Sequence, residues 1–259
     1  MKKLFLLAIM AGALLASCKK DNSENKERVF KGPVENFQHG KAFTWYEVDD
    51  NGNPFRLAIA IDDSAMASLD RNAPEGAGHH HENMLSLKFH PKVAATPFMH
   101  VGLDWNPFGH EPDVIYGKPH FDFHFYMISE ADRMNIPLYE MDSAKFKNIP
   151  ASYYFPPTYI NIPGGVPQMG SHWADVTSPE LNGALFTQTF LYGSYNGKVI
   201  FYEPMITEAF IKANPSFERA IPQPAKVQKT GYYPTKMRLS KVGNLTNIIL
   251  EGFVLRQAY

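Results

Sequence analysis

The sequence predicts a mainly β protein, built as a single antiparallel sandwich or barrel-like domain with a few short helices. Three observations predict it. Residues 119–126 (PHFDFHFY) carry aromatic side chains at alternate positions, the period of a strand whose successive side chains face opposite ways. Apolar runs elsewhere are separated by Asn-Gly pairs, which supply the positive φ angles of tight hairpins. Twenty prolines and eighteen glycines are scattered through 259 residues, which suits many turns and few long helices. A hydrophobic content of 44% is enough to fill a substantial core.

Each element has its own signal. Residues 42–48 (AFTWYEV) and 55–61 (FRLAIAI) read as two strands joined through Asn51-Gly52. Residues 64–70 suit a short helix capped by Asp62 or Asp63. His79, His80 and His81 sit among Gly and Pro in an expected exposed loop, where solvation accounts for them. Residues 84–89 alternate as a strand, and residues 98–105 (FMHVGLDW) form another before the loop Gly109-His110-Glu111-Pro112. The strand at 119–128 follows, then the start of a short helix at 130–133. Residues 151–170, rich in Pro, Tyr and Gly, are expected to form an irregular packed loop. Residues 185–195 and 198–203 make the clearest hairpin, closed by Asn196-Gly197. A helix opens near Thr207 and Glu208 and stops before Pro215, and residues 233–239 and 247–256 read as a closing pair of strands.

The first residues carry a different message. Lys2 and Lys3 precede an apolar stretch, residues 4–15, too short to span a bilayer. It ends in Leu15-Ala16-Ser17-Cys18, which resembles the lipobox of a bacterial lipoprotein signal peptide. That resemblance implies removal of residues 1–17 and attachment of lipid, palmitate included, to Cys18. Cys18 is the only cysteine, so no internal disulfide competes for it. Residues 18–29 then form the anchor and a polar tether, and residues 30–259 the β-rich domain. The Asn, Ser and Glu content after the cysteine is similar to export signals of Bacteroidetes-type lipoproteins. The expected location is the bacterial cell envelope, as an outer-membrane lipoprotein facing the periplasm or the cell surface. Its expected membrane contact is the lipid. The formal charge of −1, with no basic stripe, argues against nucleic acid as a partner.

The candidate site lies on the strand at 119–126. Phe121, Phe123 and Phe125 would face a core, leaving His120, Asp122 and His124 on the opposite face. Imidazole and carboxylate are ligands for zinc, iron, copper, nickel or manganese. His120 and His124 are roughly 13 Å apart on a straight strand, so one ion is not expected to take both. One of them, with Asp122 as a ligand or as an acceptor that orients an imidazole, would join ligands from other segments. Those candidates are His110, His172 and Glu203, each in a loop or at a strand end beside Gly or Pro, with His100 as a further option. The expected cofactor is a single divalent transition metal, zinc first, held by His124, His110 and His172. Glu203 would be a ligand or a catalytic general base.

Gly109-His110-Glu111-Pro112, residues 119–126, Gly170-Ser171-His172-Trp173, residues 192–198 (YGSYNGK) and residues 203–207 (EPMIT) together resemble an uncharacterised family of exported bacterial proteins, a domain of unknown function. The resemblance runs from about residue 42 to the C-terminus and implies no particular activity. Histidines on strands are also similar to the metal-holding histidines of cupins and carbonic anhydrases. No His-x-His pair occurs on a strand here, so the spacing differs from both.

Other chemistries find less support. Neither a Gly-x-Ser-x-Gly elbow nor a P-loop is present. Gly193-Ser194-Tyr195 reads as hairpin structure. Glu111, Asp122, Asp175 and Glu203 could supply an acid/base pair for glycoside hydrolysis, and the aromatics of residues 153–159 (YYFPPTY) could stack on a glycan or pack in a loop. Two classes of function stay open. One is a metal-binding envelope protein, with or without enzymatic activity. The other is a non-enzymatic module for a small molecule, glycan or partner, whose histidines form a polar network with Asp122.

Overall fold

The computed structural model describes residues 28–72 and 84–259. The expected signal peptide, Cys18, most of the expected tether and His79 to His81 therefore lie outside the described residues. What is described is mainly β, with antiparallel sheets packed as a sandwich and no closed barrel among the described residues. None of its helices is long and apolar enough to cross a membrane.

The first sheet has six strands. In spatial order they are β1 (Val29–Phe37), β2 (Gly40–Val48), β3 (Pro54–Asp62), β14 (Leu245–Glu251), β13 (Lys236–Val242) and β11 (Ser216–Ala220). The second has seven: β4 (Leu85–Lys88), β5 (His100–Asn106), β6 (His120–Tyr126), β10 (Lys198–Thr207), β9 (Gln188–Tyr195), β8 (Ser171–Asp175) and β7 (Tyr159–Asn161). A small ribbon pairs β12 (Gly231–Tyr233) with β15 (Val254–Arg256).

Both expected hairpins form. Asn196 and Gly197 have φ of 48° and 77°, so the two-residue turn between β9 and β10 matches the right-handed twist of the strands it joins. The helix α1 (Asp63–Ala67) is capped by the Asp62 carboxylate, which accepts from the Ala65 N–H at 2.8 Å. Thr207 caps the later helix Glu208–Ala213 in the same way through the Phe210 N–H.

Some boundaries differ from the sequence reading. The closing pair divides into four strands, because Pro234 has no N–H to donate and Gly252 takes a φ of 67°. Strand β1 escaped the pattern because Gly32-Pro33 interrupts it. The register with β2 shifts between Lys31 and Val34, and a proline is tolerated there because β1 is an edge strand. The packed loop at 151–170 contains the short strand β7; Phe155 and Tyr159 pack inward, while Tyr153 is exposed. Phe155 stacks on Trp173 with ring centroids 3.7 Å apart, and Tyr159 is buried.

The main core fills the space between the sheets. Phe121, Phe123 and Phe125 are fully buried there with Leu57, Ile59, Leu103 and Tyr202. Burial of each phenylalanine contributes about 1.5–3 kcal/mol. These three side chains fix the parity of β6, and therefore turn His120, Asp122 and His124 to the outer face of the second sheet.

Candidate metal centre

That outer face is polar along one line and covered elsewhere by apolar groups. Strand register builds it row by row. Asp104 of β5 lies beside Asp122 of β6, which lies beside Met205 of β10. One step along, Gly102 stands beside His124, and Glu203 is paired with Leu191 of β9. His172 of β8 sits opposite Gly193. Residues 108–118 and 162–169 cover this face, and two satellite apolar clusters flank it. One contains Tyr116, Phe186, Leu191 and Met205, the other Tyr126, Phe146, Met169 and Phe201. All seven residues of β6 are buried, so the histidines and the aspartate are enclosed on the face that a simpler sandwich would give to water.

Six side chains form two groups, each with two imidazoles and one carboxylate. In the first, the nitrogens of His110 and His120 and an oxygen of Asp122 all lie within 4.8 Å of one another. His120 Nε2 is 3.1 Å from Asp122 Oδ1, and His110 Nε2 is 3.4 Å from Asp122 Oδ2. The other ring nitrogens are engaged with backbone. His120 Nδ1 donates to the Lys118 carbonyl at 2.7 Å, and His110 Nδ1 to that of Glu111 at 2.9 Å. A carbonyl only accepts, so Nδ1 carries the proton in both rings and Nε2 of each neutral ring presents a lone pair. Both lone pairs aim at a carboxylate that is itself an acceptor. This arrangement calls for a cation, either protons on the rings or a metal ion among them.

The electrostatics show the same demand. Burial lowers the His110 pKa, but Asp122 outweighs burial and raises it to about 9. Burial would raise Asp122, yet the facing imidazoles, His120 before His110, hold it well below the usual carboxylate range. Asn106 steadies the carboxylate, donating from Nδ2 to Asp122 Oδ2 at 2.8 Å. Gly109 sets the position of His110. It has a φ of 75°, and a Cβ there would lie 2.1 Å from the Tyr116 carbonyl oxygen.

The second group comprises His124, His172 and Glu203, again with ligand atoms all within 4.8 Å. His124 Nε2 is 3.2 Å from Glu203 Oε1, and His172 Nε2 is 3.6 Å from Glu203 Oε2. On its far side, His124 Nδ1 faces Asp104 Oδ2 at 3.6 Å. A histidine backed by one carboxylate while it faces a second resembles the carboxylate–histidine–metal pattern of zinc sites. Burial raises the Glu203 pKa, and His124 offsets that only in part. Burial pulls His124 down, but Glu203 and then Asp104 reverse this and raise it. His120 Nε2, Asp122 Oδ1, His124 Nε2 and Glu203 Oε2 are buried without a well-formed hydrogen bond.

Both groups open on one cavity of about 410 Å³. His110, Asp122, His124, His172 and Glu203 line it together with Ile162, Val166, Met169, Leu191 and Met205. No lysine or arginine is among its lining residues.

The structure thus divides the expected ligands between two sites. His120 and His124 fall into different groups, in keeping with their spacing on β6. His110 joins His120 and Asp122, while His124 and His172 meet at Glu203. Glu203 lies in the middle of β10, where register aims it, and His172 is the second residue of β8, just after Gly170. His100 is elsewhere. It stacks on Tyr126 at 4.8 Å and lies outside the cavity lining, and burial pushes its pKa down to about 4. Ser194 accepts a hydrogen bond from Trp173 Nε1 at 2.8 Å, which is structural. Sequence reasoning missed Asp104 and Asn106. The alternation His100, Gly102, Asp104, Asn106 on β5 carried the signal, since it continues on the neighbouring strand the polar parity seen on β6.

A protein-family model described as TTHB210-like, hypothetical protein TTHB210, matches residues 49–105. The similarity is to a family of unknown function. The matched segment holds β3, α1, β4 and β5 through Trp105, so it includes Asp104 and ends just before Asn106 and the loop bearing His110. No curated protein and no solved structure matches the chain.

Proposed function

We propose that the chain is a lipid-anchored protein of the bacterial cell envelope that binds a divalent transition metal, zinc first, through His110, His120 and Asp122. One observation carries the metal reading. Two imidazoles have Nδ1 engaged by backbone carbonyls and aim Nε2 at the same buried carboxylate. Backbone engagement of the distal nitrogen is the usual way a protein orients a metal-binding histidine. Three protein ligands would leave room for a water or a substrate atom on the ion, the pattern of a catalytic site and not of a closed structural one. An ion so placed would acidify a bound water. The envelope location rests on the first residues alone: Lys2 and Lys3, the apolar stretch 4–15, Leu15-Ala16-Ser17-Cys18 and the polar residues that follow.

A specific observation also favours a second reading, in which the protein is a binding module and the first group is a proton-filled network. With His110 raised to about 9 and Asp122 held low, an imidazolium–carboxylate pair can satisfy itself at neutral pH. Elemental analysis separates the two. The full-length chain, purified in detergent without a His tag or nickel column, should retain at least one equivalent of zinc, iron, copper or manganese through dialysis. A protein free of metal, with no thermal shift on adding any of these ions, would leave the proton network as the function of the first group.

A further inference from the structure

We infer that the centre is dinuclear, with His124, His172 and Glu203 holding a second divalent transition-metal ion beside the first. This rests on the metal reading of the first group and goes beyond it. The two groups have the same composition, two imidazoles and one carboxylate, and the same closeness of ligand atoms. They share a scaffold. Asp122 and His124 are two residues apart on one face of β6, about 7 Å between Cα atoms. They also open on the same cavity, so one small ligand could reach both.

The second group has features of its own that point to a cation. His124 is fully buried, with Nε2 facing Glu203 and Nδ1 facing Asp104. A neutral ring has one N–H and can donate to only one of these carboxylates. Glu203 is 2% exposed, faces only imidazoles among the described ion pairs, and its Oε2 is buried without a hydrogen bond. Isolated buried carboxylates are costly, and the cavity supplies no lysine or arginine to offset them. Asp104, Asp122 and Glu203 are three buried carboxylates around the two groups. Two divalent ions would leave the set one positive charge in excess, which a single hydroxide or anionic ligand atom balances. One ion would leave it negative.

Zinc titration of the metal-stripped full-length protein in detergent, followed by calorimetry and elemental analysis after dialysis, tests this. The expected result is two equivalents for the parent protein, one for His172→Ala and one for His120→Ala. Circular dichroism would confirm that each variant is folded. One equivalent in the parent, lost in His120→Ala and kept in His172→Ala, would overturn the dinuclear centre and leave the single-ion reading standing. No bound zinc would overturn both. Should His172→Ala fail to fold, stepwise removal of zinc from the parent by a chelator replaces it. Two separable phases support the inference, and one phase of a single equivalent refutes it.

Discussion

His120 Nε2 lies 3.1 Å from Asp122 Oδ1 while Nδ1 of the same ring donates to the Lys118 carbonyl at 2.7 Å. The two side chains are neighbours but one on the same strand, so the backbone of β6 itself brings them together. The loop that precedes β6 supplies the carbonyl that decides which nitrogen faces the carboxylate.

Asn106 is the polar support of that carboxylate, and its removal should weaken the site without dismantling the fold. Asn106→Ala is expected to lower zinc affinity by about 10- to 100-fold, the usual effect of losing an outer partner of a ligand. Competition with a fluorescent chelator measures this. An unchanged affinity would mean that Asp122 is held by its other neighbours.

Asp122 compensates two buried imidazoles, so Asp122→Ala should destabilise the metal-free protein. The expected cost is about 3 kcal/mol, the lower end for breaking a buried ion pair, since the His110 imidazole can shed its proton. Urea unfolding followed by tryptophan fluorescence reads it. A cost below 1 kcal/mol would show that the His110–Asp122 pair contributes little to the apo fold.

Stability and metal affinity should respond to pH in opposite directions. His110 is raised from 6.5 to about 9, so it favours the folded metal-free state fully below pH 6.5. That contribution is lost as pH rises through about 9. Melting temperatures of the apo protein should therefore fall between pH 7 and pH 9.5, and Asp122→Asn should flatten the decline. Zinc competes with the same protons, so its affinity should increase over that interval. Parallel melts with and without zinc display the two slopes.

Gly193 leaves room for the Phe201 ring, which packs against His124 at 5.1 Å and His172 at 5.3 Å. A Cβ at Gly193 would lie 2.0 Å from that ring. Gly193→Ala is expected to cost about 1–3 kcal/mol through overpacking. It should also weaken the group at Glu203 more than the group at Asp122. Calorimetric titration of the variant would show a selective loss of the second binding event.

Much of the second sheet was legible in the chain. Alternation in PHFDFHFY put the phenylalanines in the core and the polar residues opposite, and Asn196-Gly197 set the hairpin that carries Glu203. Edge strand β1 was not legible, because Gly32-Pro33 hides its period. Nor was the partition of ligands. Nothing in the local pattern around His110 or His172 says that one meets Asp122 and the other Glu203.

The sequence by itself determined the β class, the parity of β6 and the residue types that face its outer surface, because a strand's period of two is a local property of the backbone. Only the tertiary structure decided that those side chains form two groups over one cavity. Partners such as Asp104, His172 and Glu203 arrive on other strands, and their meeting depends on inter-strand register, which is set by hydrogen bonding and packing across the sheet.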